Sequence, residues 1–130
     1  MYKFVTKEDI VLEDLKDLEP AAWILFVNAL LFCKRNNVEF RITSLVQDRK
    51  NVEAVSTTHE DHRAFDISHR SEGGWNDVLR NKFKFEINRD YVDIGAISYS
   101  DQRSRPCIYK KDHFHLQVRR NANIDKYIKD

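Results

Sequence analysis

The segment Thr57-Thr58-His59-Glu60-Asp61-His62-Arg63-Ala64-Phe65-Asp66 is dense in imidazole and carboxylate, and Asp112-His113-Phe114-His115 answers it much later in the chain. All five histidines lie in or near these two segments. A zinc ion in a hydrolase takes about three protein ligands from His, Asp, Glu or Cys and leaves a fourth position for water. His59, Asp66 and His115 supply such a set. The site also needs a carboxylate that takes a proton from the water and passes it to the leaving group. Asp112, ahead of His115 in the second segment, is the candidate, with Glu60 and Asp61 as competitors.

Strand periodicity brings these residues together. Ala64 to Ser68 alternates, with Phe65 and Ile67 on one face and Ala64, Asp66 and Ser68 on the other. His113 to Val118 alternates in the same way, turning Phe114, Leu116 and Val118 inward and His113, His115 and Gln117 outward. Two such strands side by side set Asp66 and His115 over one polar surface. Asp112 has the opposite parity to His115 and must reach that surface from the loop end.

The first segment resembles the Ser-x-His-x-x-Gly-x-Ala-x-Asp signature of the D-alanyl-D-alanine and L-alanyl-D-glutamate metallopeptidases, the family of vancomycin-resistance dipeptidases and phage endolysin peptidases. The second resembles their Asp/Glu-x-x-His element. The resemblance implies a hedgehog-like zinc fold, with His59, Asp66 and His115 as ligands and Asp112 as general base. It also puts His113 where some members carry a further active-site histidine. Thr57 stands in the serine position and keeps a hydroxyl. His62 stands where the family has glycine, a residue that allows backbone angles and close approach that a Cβ resists. There it would narrow the substrate groove or add a polar group. The family also has a strand running into a Thr-Ser-Gly-Tyr-Arg type turn, whose arginine stabilises charge. Here Ile42 to Arg49 places Gln47 at that position, which leaves Arg49 or Arg63 as substitutes. The similarity covers the order of elements from about Phe4 to about Val118, on a handful of specific residues.

Bulk properties fit a small enzyme. At 130 residues, a single domain over 1–130 with one proper core is expected. A hydrophobic content of 42% and a charged content of 33% describe an ordinary globular chain. The net charge of +1 gives no case for nucleic acid. Arg103, Arg105, Lys110, Lys111, Arg119 and Arg120 form the one basic concentration, which would suit an anionic wall polymer. Cys33 and Cys107 are in no metal-binding pair, so no disulfide framework is indicated and a reducing compartment is the default. No signal peptide opens the sequence. The apolar run from Ala21 to Cys33 falls short of the roughly 20 residues a bilayer requires and reads as a buried helix.

The elements follow from local signals. Thr6 and Asp9 suggest a short helix over about 7–18, and Pro20 opens a longer one to about Asn36, apolar nearly all round. Strands are expected over 39–44, 64–68, 92–99 and 113–118, a polar loop over 47–58, and a helix over about 75–85 after Gly73-Gly74. A loop over 101–106 leads to the last strand, and a short surface helix follows Asn121. The expected class is α+β, helices packed on a small antiparallel sheet carrying the zinc site. His69, Trp75, Tyr91 and Tyr99 read as ordinary packing or surface groups.

The expectation is a monomeric zinc peptidase acting on peptidoglycan stem peptides, with no nucleic-acid or membrane partner. Its short chain favours an L-alanyl-D-glutamate endopeptidase over a D-Ala-D-Ala carboxypeptidase or dipeptidase. Thr57, His62, Arg63, His113 and Arg49 would contact substrate. Without a leader it would be cytoplasmic until released to the wall, as a phage lysis enzyme is through a separate pore. One alternative is a His-Asn-His nuclease built on Asp61-His62, Asn76 and Arg80 or Lys84. Another is a catalytically silent relative that keeps zinc and binds cell wall.

Overall fold

The computed structural model of the protein describes residues 1–8, 10, 12–45, 62–98 and 101–128. Phe4–Thr6 forms β1. A 3₁₀ helix, Leu12–Asp17, stands where an α-helix over about 7–18 was expected. None of its residues is buried, so no apolar face holds a longer helix there. Pro20 then opens α1, Pro20–Asn36, at a position where its missing N–H costs nothing. The buried residues Ala21, Ala22, Leu25, Phe26, Ala29, Phe32 and Cys33 recur at helical spacing. The helix is one-sided rather than surrounded by core, because Val27 and Leu31 are 44% and 41% exposed.

The next strands, β2 (Phe40–Ser44) and β3 (Ala64–Ser68), agree with the alternation. The expected loop over 47–58 lies outside the described residues. After a 3₁₀ turn at Ser71–Gly73, Asn76 caps α2, Asp77–Asp90, accepting from the Leu79 N–H at 2.9 Å. The expected strand over 92–99 is instead a 3₁₀ turn, Val92–Ile94, and two isolated bridges, Gly95 with Val118 and Ile97 with Ser104. Tyr99 is outside the described residues. The cause is local, since Tyr91 N–H still bonds the Ile87 carbonyl at 3.0 Å and Ile94 N–H the Tyr91 carbonyl at 3.1 Å. The chain is therefore still coiling where a strand would start. Gly95 also passes so near Pro106 that a Cβ would lie 2.5 Å from its Cδ. A hairpin closes the sheet, with β4 at Cys107–Tyr109 and β5 at His113–Gln117. The tail after Asn121 forms a 3₁₀ turn at Asp125–Tyr127.

The sheet has five strands in the order β1-β2-β3-β5-β4. It is mixed rather than wholly antiparallel: β1 runs parallel to β2, and the remaining pairs are antiparallel. Parallel neighbours need a crossover, and α1 lies in the connection between β1 and β2. α1 and α2 pack on the same face. Phe26 of α1 meets Phe40 and Phe65 at centroid distances of 5.2 and 5.4 Å, and Phe83 of α2 meets Phe114 at 4.6 Å. Phe32 lies 5.0 Å from Phe83, so the two helices share the same aromatic cluster. Trp75 is buried, as expected of a packing residue. The architecture is α+β, and among the described residues no helix is long and apolar enough to cross a membrane.

One feature of this core was not visible in the sequence pattern. Glu39, 1% exposed, receives both Nε and Nη2 of Arg70 at 3.0 and 2.9 Å, while its backbone carbonyl accepts from Trp75 Nε1 at 3.1 Å. Gly73 lies against it, where a Cβ would come within 2.8 Å of Glu39 Cβ. Cys33 and Cys107 are both buried free thiols. Burial pushes the Cys33 thiol up to about 12, with the nearby Glu39 adding to the effect, and burial raises the Cys107 thiol as well.

Candidate functional site

The face of the sheet opposite the helices carries the polar residues. In the β3–β5 ladder Asp66 is directly opposite His115, Ser68 opposite His113, and Ala64 opposite Gln117. Directly opposed antiparallel residues hold their Cβ atoms about 5 Å apart, within reach for a carboxylate and an imidazole. His115 Nδ1 lies 2.8 Å from Asp66 Oδ1, and His113 Nε2 lies 3.6 Å from Asp66 Oδ2. Asp66 thus stands between two imidazoles. It and His115 are each only 8% exposed, so the pair interacts in a poorly hydrated setting.

The contacts extend to either side. His113 Nδ1 is 2.6 Å from Asp112 Oδ1. That hydrogen bond chiefly holds the Asp112 carboxyl below its usual range. Asp112 lies in the turn before β5, with its side chain 84% exposed. On the other flank His115 Nε2 lies 3.1 Å from Gln117 Oε1, and Gln117 Nε2 donates to the Arg105 carbonyl at 3.1 Å. Gln117 was assigned no role from sequence. Its signal was its parity with His115 on β5.

The remaining sequence candidates divide by location. Thr57, His59 and Arg49, together with Gln47, lie outside the described residues. Among the described residues no three His, Cys, Asp or Glu side chains form a group able to hold a metal. His62 has a left-handed backbone, φ 60°, at the position where the resembled signature has glycine. Its carbonyl accepts from Glu19 N–H at 3.0 Å, just ahead of α1, and its Nδ1 is buried without a hydrogen-bond partner among the described residues. Arg63 is 8% exposed and donates from Nη1 to the Val118 carbonyl at 2.9 Å, tying the entry of β3 to the end of β5.

His69 is a satisfied core histidine. Its Nε2 meets the Lys110 carbonyl at 2.8 Å, and its Nδ1 accepts from Arg80 Nε at 3.2 Å. Of the nuclease pattern, Asn76 and Arg80 hold the start of α2: Asn76 caps it, and Arg80 bonds Asp77 and Ser71 at 2.8 and 3.1 Å, while Asp61 lies outside the described residues. The chain matches no protein-family model, no curated protein and no solved structure.

Proposed function

We propose that this protein is a zinc-dependent peptidase that hydrolyses peptidoglycan stem peptides, with His59, Asp66 and His115 as metal ligands and Asp112 as general base. The observation that carries it is the direct cross-strand pairing of Asp66 with His115 on a shielded polar face that also holds His113. Ligand atoms on a tetrahedral zinc, each about 2.0–2.1 Å from the ion, lie about 3.3 Å from one another. Of the proposed ligands, Asp66 Oδ1 and His115 Nδ1 lie 2.8 Å apart, somewhat inside that edge, and a carboxylate and an imidazole are donors of the kind zinc takes.

When bound, zinc would supply Lewis acidity toward the scissile carbonyl and lower the pKa of the attacking water to about 7. Asp112 would take the proton and return it to the departing amine. His113, bonded to Asp112 through Nδ1 and facing Asp66 through Nε2, would orient that carboxylate or carry the proton between them. Thr57, His62, Arg63 and Arg49 are the proposed substrate contacts. An L-alanyl-D-glutamate endopeptidase of the phage-endolysin type is the preferred reading over a D-Ala-D-Ala carboxypeptidase. The engagement of Asn76 and Arg80 at the start of α2 leaves the nuclease reading the weaker one.

Mass spectrometry of fragments released from purified peptidoglycan, with and without chelator and with Asp112→Ala as control, tests the proposal. Chelator-sensitive new amino termini are expected, with the fragment masses identifying the bond. The Asp112 variant should lose roughly 10²–10⁴-fold in rate while still binding zinc. Intact stem peptides from zinc-loaded protein would favour the silent wall-binding relative. A protein that cannot be loaded with zinc at all overturns both zinc readings.

A further inference from the structure

We propose that His69 is a positioning residue that braces the β4–β5 turn and through it aims the carboxylate of Asp112. The proposal deepens the peptidase reading and rests on it for the role of Asp112, whereas the brace itself stands on geometry alone. The turn is tight: Lys110 N–H donates to the His113 carbonyl at 2.9 Å, which leaves Lys111 and Asp112 at its tip. With its side chain 84% exposed, Asp112 is aimed by the backbone beneath it and by its contact with His113 Nδ1 rather than by packing.

His69 supports that backbone from the buried side. It is 3% exposed, and its ring centroid lies 4.9 Å from that of Tyr109, just before the turn, and 4.8 Å from that of Phe114, just after it. Its Nε2 is 2.8 Å from the Lys110 carbonyl, which can only accept, so the ring proton sits on Nε2. Its Nδ1 is 3.2 Å from Arg80 Nε, which can only donate, so Nδ1 is the acceptor. Both neighbours therefore call for the same neutral tautomer. The His69 backbone adds a longer contact, its N–H lying 3.5 Å from the Asp112 carbonyl.

Arg80 fixes the ring from behind. Its Nε–H is shared with the His69 carbonyl at 3.0 Å, and its Nη1 and Nη2 are held by Asp77 and Ser71 at 2.8 and 3.1 Å. A chain of hydrogen bonds thus runs from the first turn of α2, through the imidazole, to the peptide that carries Asp112. A displacement of about 1 Å at a reacting group can cost about 100-fold in rate, so a brace of this kind has a catalytic consequence without touching substrate.

The test uses the full chain with His69→Phe, which keeps a packed ring and removes both side-chain hydrogen bonds, and His69→Gln, which keeps a donor for the Lys110 carbonyl. Backbone NMR order parameters at Lys111, Asp112 and His113 in metal-free protein read the turn, and hydrolysis of soluble peptidoglycan stem peptides reads kcat and KM. Wild type is expected near the rigid value of about 0.85, and His69→Phe should fall below about 0.6 at the tip. The same variant should lose up to about 100-fold in kcat with KM little changed, and His69→Gln should recover most of both. A turn equally rigid in His69→Phe, or a loosened turn with unchanged kcat, overturns the proposal. If wild type hydrolyses no stem peptide, the peptidase reading fails while the order parameters still decide the brace. If His69→Phe does not fold, Arg80→Met, which frees the ring to turn over, takes its place with the same outcomes.

Discussion

His62 holds a side chain in a backbone conformation that most side chains avoid, with φ 60°. Left-handed geometry costs a residue with a Cβ about 1 kcal/mol or more, and glycine escapes the clash at the expense of greater freedom in the unfolded chain. His62→Gly is therefore expected to raise the unfolding free energy by up to about 1 kcal/mol, measured by guanidinium denaturation. A clear loss of stability would mean that the imidazole packs well enough to outweigh the strain. The sequence marked this position through the glycine of the resembled signature, but it could not show that the backbone keeps glycine's geometry under a histidine. Asp66 and His115 were legible because strand alternation has only two faces. Gln117 shared that face and was passed over because an amide carries no charge to draw notice.

At the scale of elements, the long self-contained signals were the readable ones. The Pro20 start of α1 and the alternation of β3 and β5 are local, and they predicted the observed segments closely. β1 and β4 are three residues each, and their extended form depends on β2 and β5 beside them, so no local pattern announced them. The loop before β4 carries a prediction of its own. Asp101 pairs with Arg105 and Arg103, and the hydrogen bond from Arg105 chiefly lowers its carboxyl to about 2. An unfolded aspartate titrates near 3.9, so the folded state gains stability from this group at all pH values above about 4. That gain is lost as pH falls through about 2. Asp101→Asn should thus be slightly less stable than wild type at neutral pH, with the two stability curves converging as pH approaches 2 in a urea titration series. A constant gap down to that pH would show that the pair contributes nothing.

At the scale of the whole molecule, α1 and α2 cover one face of the sheet and the polar residues of β3 and β5 occupy the other. Phe114 belongs to both sides of this division, since it points into the aromatic cluster while its neighbours His113 and His115 point to Asp66. Phe114→Ala should cost about 3–5 kcal/mol of stability by chemical denaturation. It should also weaken the proposed zinc binding, because the strand that aims both histidines would lose its anchor. Unchanged affinity would show that the β3–β5 ladder holds the site without the core. The layered class was legible from patterning, whereas the mixed order of strands was not, because it depends on which edge of the sheet β1 joins. The two buried thiols add a different kind of access to this architecture. A thiolate is the form that alkylating reagents attack, and here burial keeps both groups protonated and covered. Cys33 lies in α1 and Cys107 in the edge strand β4. Each cysteine therefore works as a chemical clock for a different layer, and the order in which the two are alkylated would report whether the helix or the sheet edge opens first.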